Sequence, residues 1–245
     1  MGYFRMASHR GTTNARWGEN TVESFTRAIQ QGADWMETDM VINRSGDFVI
    51  MHDLTVDRTT RSSGYIHQMS NRQINLLRTN QGNEIPWLSD LLKLGKKTGT
   101  GVIPELKGDL LGRYDDPDTW LHLKQVIQSY GMMSKTMITS HLISEVAKVK
   151  SHEPTIKCGV IWANDSRAPT PADVGDFEYC TLEAHLVTRK VVETLNEAGV
   201  QVIGRLRGGD DPDGWRKHYD CGSWGYITDR AGDFADWRRS VTRRR

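Results

Sequence analysis

The stretch METDMVINRSGDFVIMHD, residues 36–53, places acidic side chains on a segment that otherwise has the apolar character of a buried strand. Glu37 and Asp39 lie two positions apart, so on a strand their side chains point in the same direction. A second apolar segment follows and ends in His52 and Asp53. Carboxylates rarely occupy a buried strand unless they are paired or bound to a metal ion, so this stretch predicts a site as well as a fold.

Only the residues NRSG separate the two apolar segments of residues 34–51. This connection is too short for the helical crossover that parallel strands need, so we expect an antiparallel hairpin. A turn centred on residues 44–45 would set Glu37 directly opposite His52. A parallel arrangement with a short loop would also bring these residues close together.

The composition is that of an ordinary globular protein. The chain has 245 residues, of which 37% are hydrophobic and 26% charged, and its net charge is +1. So small a net charge produces no strong electrostatic field that would attract nucleic acid, and we expect no nucleic-acid partner. Three widely spaced cysteines argue against a disulfide framework and suit a reducing compartment. The first residues, MGYFRMASHRG, lack the apolar core of a secretory signal, and no run approaches the roughly 18 apolar residues that span a bilayer. These features predict a cytoplasmic protein without an integral membrane segment, although export by a phage particle or another route would leave no mark.

Short apolar runs alternate with amphipathic segments along the chain, as in successive βα units. The strand candidates are 3–8, 34–42, 47–51, 101–106, 135–140, 156–162, 178–183, 200–205 and 225–228. The helix candidates are 20–31, 87–98, 117–130, 142–151, 187–198, 212–220 and 232–240. This alternation predicts a single domain, 1–245, folded as a TIM-type (β/α)8 barrel, with the hairpin supplying the strand in excess of eight. Residues 53–85 indicate a long loop insertion, and loops of that length are usually functional.

Reactive side chains follow four of the predicted strands, at the positions where an α/β barrel carries its active site. They are His9 and Arg10, Glu37 and Asp39, His52 and Asp53, and Glu105 and Lys107. Taken singly, each pair is more often structural, for instance as a salt bridge at the end of a strand. All four together, in order along one barrel pattern, favour a functional site.

The residue types indicate the chemistry of that site. Three converging carboxylates without a cysteine partner favour a hard cation, Mg²⁺ or Ca²⁺. Histidines titrate near neutrality and are suited to transfer protons, and the basic side chains suit an anionic substrate. The assignments are Glu37, Asp39 and Glu105 to the metal, His9 and His52 to proton transfer, and Arg10 and Lys107 to the substrate. Together they describe a site for phosphate esters.

Five stretches of the sequence resemble the glycerophosphodiester phosphodiesterase family, in the superfamily of PI-PLC-like phosphodiesterases. They are HRG at 9–11, ENTVESFTRAIQQGADWMETDMVINRSGDFVIMHD at 19–53, DRTT at 57–60 with Gly64 after it, ELK at 105–107 and GYITDR at 225–230. The resemblance implies a TIM-type barrel that hydrolyses small or polymeric glycerophosphodiesters to glycerol 3-phosphate and an alcohol, using a divalent cation. It assigns the metal, acid–base and phosphate roles to the same residues as above.

Within this resemblance, Glu19 and Asn20 match a pair that braces the loop after the first strand. Asn20 is also expected to cap the helix at 20–31. We expect His52 to act as the acid and His9 as the base, and the nucleophile is either water or the 2-hydroxyl of the glycerol.

Two positions depart from the family pattern. Ser140-His141 stands where Ser-Phe is usual, and VIGRLRG at 202–208 aligns Arg205 with a tryptophan that flanks the substrate. Groups that can carry positive charge replace apolar walls, and we therefore expect Arg205 to bind an anionic part of the substrate, for example that of a glycerophosphate polymer such as a teichoic acid. Alternatively, Trp162 or Trp224 supplies the missing surface.

Two other functions remain open on the sequence. One is a phospholipase D-like lyase on the same barrel that ends at a cyclic phosphate. The other is a non-catalytic barrel that binds a cell wall or a phage tail. The set of buried charges argues against the second, because an idle site has no reason to keep them. The sequence predicts no oligomeric state.

Overall fold

The structure, a computed structural model, describes residues 3–12, 16–162, 166–205 and 210–242. Its strands are β1 (Arg5–His9), β2 (Trp35–Ile42), β3 (Phe48–Ile50), β4 (Gly101–Leu106), β5 (Met137–Ser140), β6 (Lys157–Ile161), β7 (Tyr179–Glu183), β8 (Gln201–Arg205) and β9 (Gly225–Thr228). All of these except β3 run parallel and close into a barrel, in which β1 pairs with both β2 and β9. The predicted TIM-type barrel is confirmed.

The helices between the strands are α1 (Val22–Gln30), α2 (Asn71–Leu76), α3 (Leu88–Thr98), α4 (Pro117–Ser129), α5 (Ile143–His152), α6 (Pro171–Val174), α7 (Arg189–Glu197), α8 (Pro212–Cys221) and α9 (Ala231–Thr242). Each predicted helix is confirmed, and α2 and α6 are additional short helices. No helix among the described residues combines the length and the apolar character needed to cross a membrane.

The predicted hairpin of β2 and β3 is confirmed, but its register differs from the expected one by one residue. Met40 pairs with Ile50 in this hairpin. Extended along both strands of the hairpin, this register sets Thr38 opposite His52. The expected pairing of Glu37 with His52 is therefore wrong.

The turn explains the shift in register. Asn43 N–H donates to Asp47 O, and Asn43 Oδ1 accepts hydrogen bonds from the N–H groups of Ser45 and Asp47. Gly46 adopts φ +88°, the left-handed conformation that ends a three-residue hairpin loop. The turn is therefore centred on Ser45 instead of between residues 44 and 45.

Residues 53–85 form a packed excursion from the barrel, where the sequence indicated a loop. Val56, Ile66 and Ile74 are buried and pack with residues of the β2–β3 hairpin. The helix α2 within it begins at a capping box in which the side chains of Ser70 and Gln73 each bond the other's backbone N–H. The excursion therefore has a small apolar core of its own, which fixes the chain that follows His52.

Alternation along the strands separates the barrel core from the site. The lower inward positions are apolar and form one cluster of Ala7, Ile103, Met137, Tyr179, Ile203 and Ile227. Successive inward residues on a strand are two positions apart. Two positions further along the same strands, the inward side chains are polar or charged. They are His9, Glu105, Thr139, Thr181, Arg205 and Asp229, and the last of these directly follows β9. The apolar layer thus closes the barrel below a polar layer at its carboxyl end, where sites of this fold lie.

Candidate active site

Three carboxylates meet at the carboxyl end of β2 and β4. Glu37 and Asp39 are both inward on β2, and Asp39 is the register partner of Glu105 on β4. One oxygen from each of the three residues lies within 4.8 Å of the others, and all three residues are buried. The structure therefore brings together the three acids that were expected to bind a metal ion.

Burial and charge act in opposite directions on these acids. Burial raises the pKa of the Glu37 carboxyl; His9 partly opposes this rise, whereas Asp39 and Glu105 add to it. Burial also disfavours ionisation of Asp39, but the positive charges of Lys107 and Arg10 overcome it and hold the pKa of Asp39 below its usual value. Crowded buried acids are costly unless positive charge compensates them.

Two basic side chains provide part of that compensation. Lys107 Nζ lies 2.6 Å from Glu105 Oε1 and 3.0 Å from Asp39 Oδ1. Arg10 Nε lies 3.0 Å from Asp39 Oδ2. Both residues predicted to bind the phosphate thus border the acid cluster, and their charges offset the charges of two of its members.

The donor set fits a hard divalent cation. Glu37 Oε2 and Asp39 Oδ1 are buried and accept no hydrogen bond in the described structure, since Lys107 approaches Asp39 Oδ1 without hydrogen-bond geometry. Buried carboxylate oxygens are normally satisfied, so these two have unused capacity as ligands. Oxygen donors of this kind suit Mg²⁺, Ca²⁺ or Mn²⁺.

His9 is held by an acid from the far end of the chain. His9 Nδ1 lies 2.7 Å from Asp229 Oδ1, and its Nε2 lies 4.0 Å from Glu37 Oε2. Burial lowers the pKa of His9, but Glu37 and Asp229 overcome this effect and raise it above the usual value. With Nδ1 bonded to Asp229, the ring presents Nε2 to the acid cluster.

His52 has the same arrangement with a different partner. His52 Nδ1 lies 2.6 Å from Asp53 Oδ1, and Asp53 in turn accepts hydrogen bonds from Arg58. The hydrogen bonds from Arg58 lower the pKa of the Asp53 carboxyl to about 2. Each of the two predicted proton-transfer histidines therefore has a carboxylate on Nδ1, which leaves Nε2 for a reacting group.

Asn20 has a different role from the expected one. Thr21, and not Asn20, is the N-cap of α1, because its side chain accepts from Ser24 N–H. Asn20 has φ +55°, and its Nδ2 donates to Asp39 Oδ2 at 2.7 Å. The expected helix cap is wrong because the side-chain amide of Asn20 is used to hold a carboxylate of the cluster.

The two residues that depart from the family pattern meet at the mouth of the barrel. Arg205 Nη2 lies 3.1 Å from His141 Nε2, and that nitrogen lies 3.7 Å from Glu105 Oε1. Glu183, the register neighbour of Arg205, is buried, and its Oε2 lies 3.6 Å from Nδ1 of the His185 imidazole. Residues 206–208 of the VIGRLRG segment lie outside the described residues.

Three residues near the site were not assigned to it from the sequence. Asp229 directly follows the predicted strand 225–228, the same kind of position that identified His9. Its place in the sequence could therefore have assigned it to the site. Arg58 lies within the motif DRTT, and only the structure shows what its side chain contacts. Asn20 was explained as a helix cap, which concealed its bond to Asp39.

Comparisons with known proteins identify the family and the fold. A model of the glycerophosphoryl diester phosphodiesterase family matches residues 9–232. The glycerophosphodiester phosphodiesterase of Caldanaerobacter subterraneus subsp. tengcongensis is 29% identical over 162 residues, or 63% of this chain and 65% of that protein. The chain thus spans slightly less than two thirds of that relative.

Solved structures share the fold. A glycerophosphodiester phosphodiesterase from Agrobacterium tumefaciens str. C58 superposes with a TM-score of 0.79 at 24% identity, over 95% of this chain and 99% of that one. A phosphodiesterase from Oleispira antarctica, solved with the product sn-glycerol-3-phosphate, gives 0.77 at 21% identity, over 95% and 96% of the two chains.

Proposed function

The chain belongs to the glycerophosphoryl diester phosphodiesterase family, and we propose that it is a single-domain enzyme that hydrolyses a glycerophosphodiester to glycerol 3-phosphate and an alcohol. The observation that carries this proposal is the buried triad of acids with unused oxygens, beside a histidine held through Nδ1 by a carboxylate. The Oleispira relative, which binds sn-glycerol-3-phosphate as its product, supports the same substrate class.

Glu37, Asp39 and Glu105 would hold a divalent cation, Mg²⁺ or Ca²⁺. When bound there, such a cation supplies positive charge that stabilises the negative charge growing on the phosphate. Arg10 and Lys107 add positive charge beside the acid cluster, because each lies 3.0 Å from an oxygen of Asp39. They would turn toward the phosphate as the cation compensates the acids.

His9 and His52 would transfer the protons. His9 would accept the proton of the attacking oxygen at Nε2, while Asp229 stabilises the imidazolium through Nδ1. His52 would give the proton of its Nε2 to the leaving alkoxide, while Asp53 keeps the ring oriented through Nδ1. General acid–base catalysis of this kind contributes about 10²–10⁴-fold in rate.

Arg205 would bind an anionic part of the substrate. Among the described residues its guanidinium contacts an imidazole nitrogen and has no carboxylate within 4.0 Å, so most of its donors remain available. β5 is the neighbour of β4, and β8 lies across the barrel from β4, so one arm of a diester bound at the acid cluster would reach His141 and Arg205. A diester with an additional negative charge on that arm is the substrate that this arrangement favours.

A coupled assay for glycerol 3-phosphate tests the proposal. Purified protein is given glycerophosphocholine, glycerophosphoglycerol and the terminal phosphomonoester of glycerophosphoglycerol, each with Mg²⁺, with Ca²⁺ and with a chelator. We expect cation-dependent release from at least one diester and the highest kcat/KM for the phosphorylated one. No release from any diester would refute the activity, and a preference for glycerophosphocholine would refute the role of Arg205.

The first product distinguishes hydrolysis from a lyase reaction. Phosphorus NMR of an early time point shows a phosphomonoester if water attacks directly, and a five-membered cyclic phosphate if the glycerol 2-hydroxyl attacks. We expect the monoester as the final product in either case, because the histidines can also activate water against the cyclic ester.

A further inference from the structure

Arg58, on the excursion that follows β3, holds two carboxylates at once. Its Nε and Nη2 donate to the two oxygens of Asp53 at 2.6 and 3.2 Å. Its Nη1 and Nη2 donate to the two oxygens of Glu19 at 2.9 and 2.7 Å. Four charge-assisted hydrogen bonds from one planar guanidinium require the geometry of arginine, which lysine cannot reproduce.

Each of the two carboxylates also contacts a residue of the candidate active site. Asp53 Oδ1, which accepts from Arg58, is also the atom that lies 2.6 Å from His52 Nδ1. Glu19 Oε1 lies 3.4 Å from Arg10 Nη1. Contacts between opposite charges therefore run without a break through His52, Asp53, Arg58, Glu19, Arg10 and Asp39.

We propose that Arg58 is a positioning residue: it fixes the ring of His52 through Asp53 and the side chain of Arg10 through Glu19. The proposal deepens the proposed function, because it assumes that His52 and Arg10 act on a phosphodiester. The side chains of Asp53 and His52 are partly exposed, so packing restrains their rotamers less than it restrains those of core residues. Arg58 supplies that restraint, and it keeps Asp53 directed at Nδ1 of His52, so that Nε2 remains available to the substrate.

The network around Arg58 also adds stability, because bidentate pairs in a network are the exposed ion pairs that contribute to folding. A contribution to stability does not require, however, that one of the two carboxylates be bonded to His52 and that the other lie beside Arg10. The charged groups around His52 are Asp53, with Arg58 behind it on the excursion, and Asp39 on β2, whose pKa His52 helps to lower. Removing Arg58 would leave the negative charge of Asp53 uncompensated beside the imidazole.

The test compares Arg58→Ala, Arg58→Lys and the control Arg61→Ala, all with saturating divalent cation. Arg61 is exposed on the same excursion and makes no hydrogen bond or ion pair with the described residues. Three quantities are measured: kcat and KM on a cleaved diester, the pH profile of kcat/KM, and the ¹⁵N-detected tautomer and titration of His52. The His52 signal is assigned by its loss in His52→Gln.

We expect kcat of Arg58→Ala to fall about a hundredfold with a smaller change in KM, because proton transfer depends on orientation. The pH profile of kcat/KM and the tautomer of His52 should both change, because Asp53 is no longer held at Nδ1 and its charge is no longer compensated. Arg58→Lys should restore the pH profile through its charge but leave kcat at least about tenfold low, because it lacks the planar geometry. Arg61→Ala should match the wild type.

Two results would overturn the positioning role. One is an Arg58→Ala enzyme within about threefold of the wild type in kcat. The other is a lowered rate with an unchanged pH profile of kcat/KM and an unchanged His52 tautomer, which is the outcome expected for a merely structural residue. A wild type that cleaves no diester would instead refute the proposed function, and the tautomer of His52 would still report on the contact itself.

Discussion

His9 Nδ1 lies 2.7 Å from Asp229 Oδ1, a contact that joins the first strand of the barrel to the residue that follows the last. β1 and β9 are neighbours because the barrel closes between them. Asp229 N–H and Thr228 Oγ1 both donate to Asp210, which fixes the turn that presents the carboxylate to His9. A side chain near each end of the chain thus depends on barrel closure to form one functional pair.

The Asp229→Asn variant should lose activity while keeping the fold. An amide at this position no longer stabilises the imidazolium of His9, and it can select the wrong tautomer of the ring. We expect kcat to fall about 10²-fold or more with little change in KM. Asp236→Asn is the matched control, because Asp236 is exposed on α9 and pairs with Arg239. Equal kcat values for the two variants would contradict the role of Asp229.

Removal of Lys107 should make stability dependent on the divalent cation. In Lys107→Met the acids Asp39 and Glu105 lose a positive charge within 3.0 Å, so the protein with chelator should be destabilised by about 3–5 kcal/mol. A bound cation replaces that charge, so adding Mg²⁺ or Ca²⁺ should raise the melting temperature more in the variant than in the wild type.

The control for this measurement is Lys124→Met. Lys124 pairs with Glu153 at 2.5 Å, and neither residue lies near the acid cluster in the described structure. Its loss should lower the melting temperature without changing the increment that the cation produces. A cation increment in Lys107→Met no larger than in this control would refute the electrostatic account.

Two substitutions of Asn20 should separate the contribution of its backbone conformation to stability from the contribution of its side-chain hydrogen bond. Asn20→Gly and Asn20→Ala both remove the bond to Asp39 Oδ2, whereas only glycine adopts φ +55° without strain. We expect both variants to be destabilised in urea unfolding, with Asn20→Ala about 1 kcal/mol less stable than Asn20→Gly. Equal stability of the two variants would mean that the local backbone relaxes.

The buried residue His218 should make the fold sensitive to acid. Burial lowers the pKa of His218 to about 3, and its Nδ1 lies 3.0 Å from Ser223 Oγ. Because this pKa lies below the unfolded value of about 6.5, the unfolded state takes up the proton first as the pH falls. Stability from this group is therefore complete above about pH 6.5 and is lost toward pH 3, by about 1.4 kcal/mol per unit.

Urea unfolding of His218→Asn at pH 7, 6 and 5 checks this sign. The variant should be less stable than the wild type at pH 7, and the difference should shrink as the pH falls. His152→Gln, at an exposed position at the end of α5, should keep a constant difference. A His218→Asn curve parallel to the wild type would contradict the buried neutral imidazole.

The sequence predicts the barrel because its evidence is local. Apolar runs and helical periodicity lie within segments of 5–15 residues, and the alternation of Glu37 and Asp39 on one strand already indicates that both face the interior. The register of the hairpin was not predictable to one residue, since it depends on how Asn43 and Gly46 close the turn.

The partners within the site were less accessible, because they come from distant parts of the chain. Nothing local to His9 indicates Asp229, 220 residues away. Arg58 and Glu19 are 39 residues apart, and their contact depends on how the excursion packs against the hairpin. Such pairs follow from the tertiary structure, which local patterns in a single sequence do not predict at the level of side chains.

The central claim is that Glu37, Asp39 and Glu105 share one divalent cation, and anomalous diffraction from a crystal soaked in Mn²⁺ tests it most directly. We predict one strong anomalous peak within bonding distance of an oxygen from each of the three side chains, and its loss in a Glu37→Gln, Glu105→Gln double variant. A wild-type crystal with no peak at this cluster, while Mn²⁺ is bound elsewhere, would contradict the account.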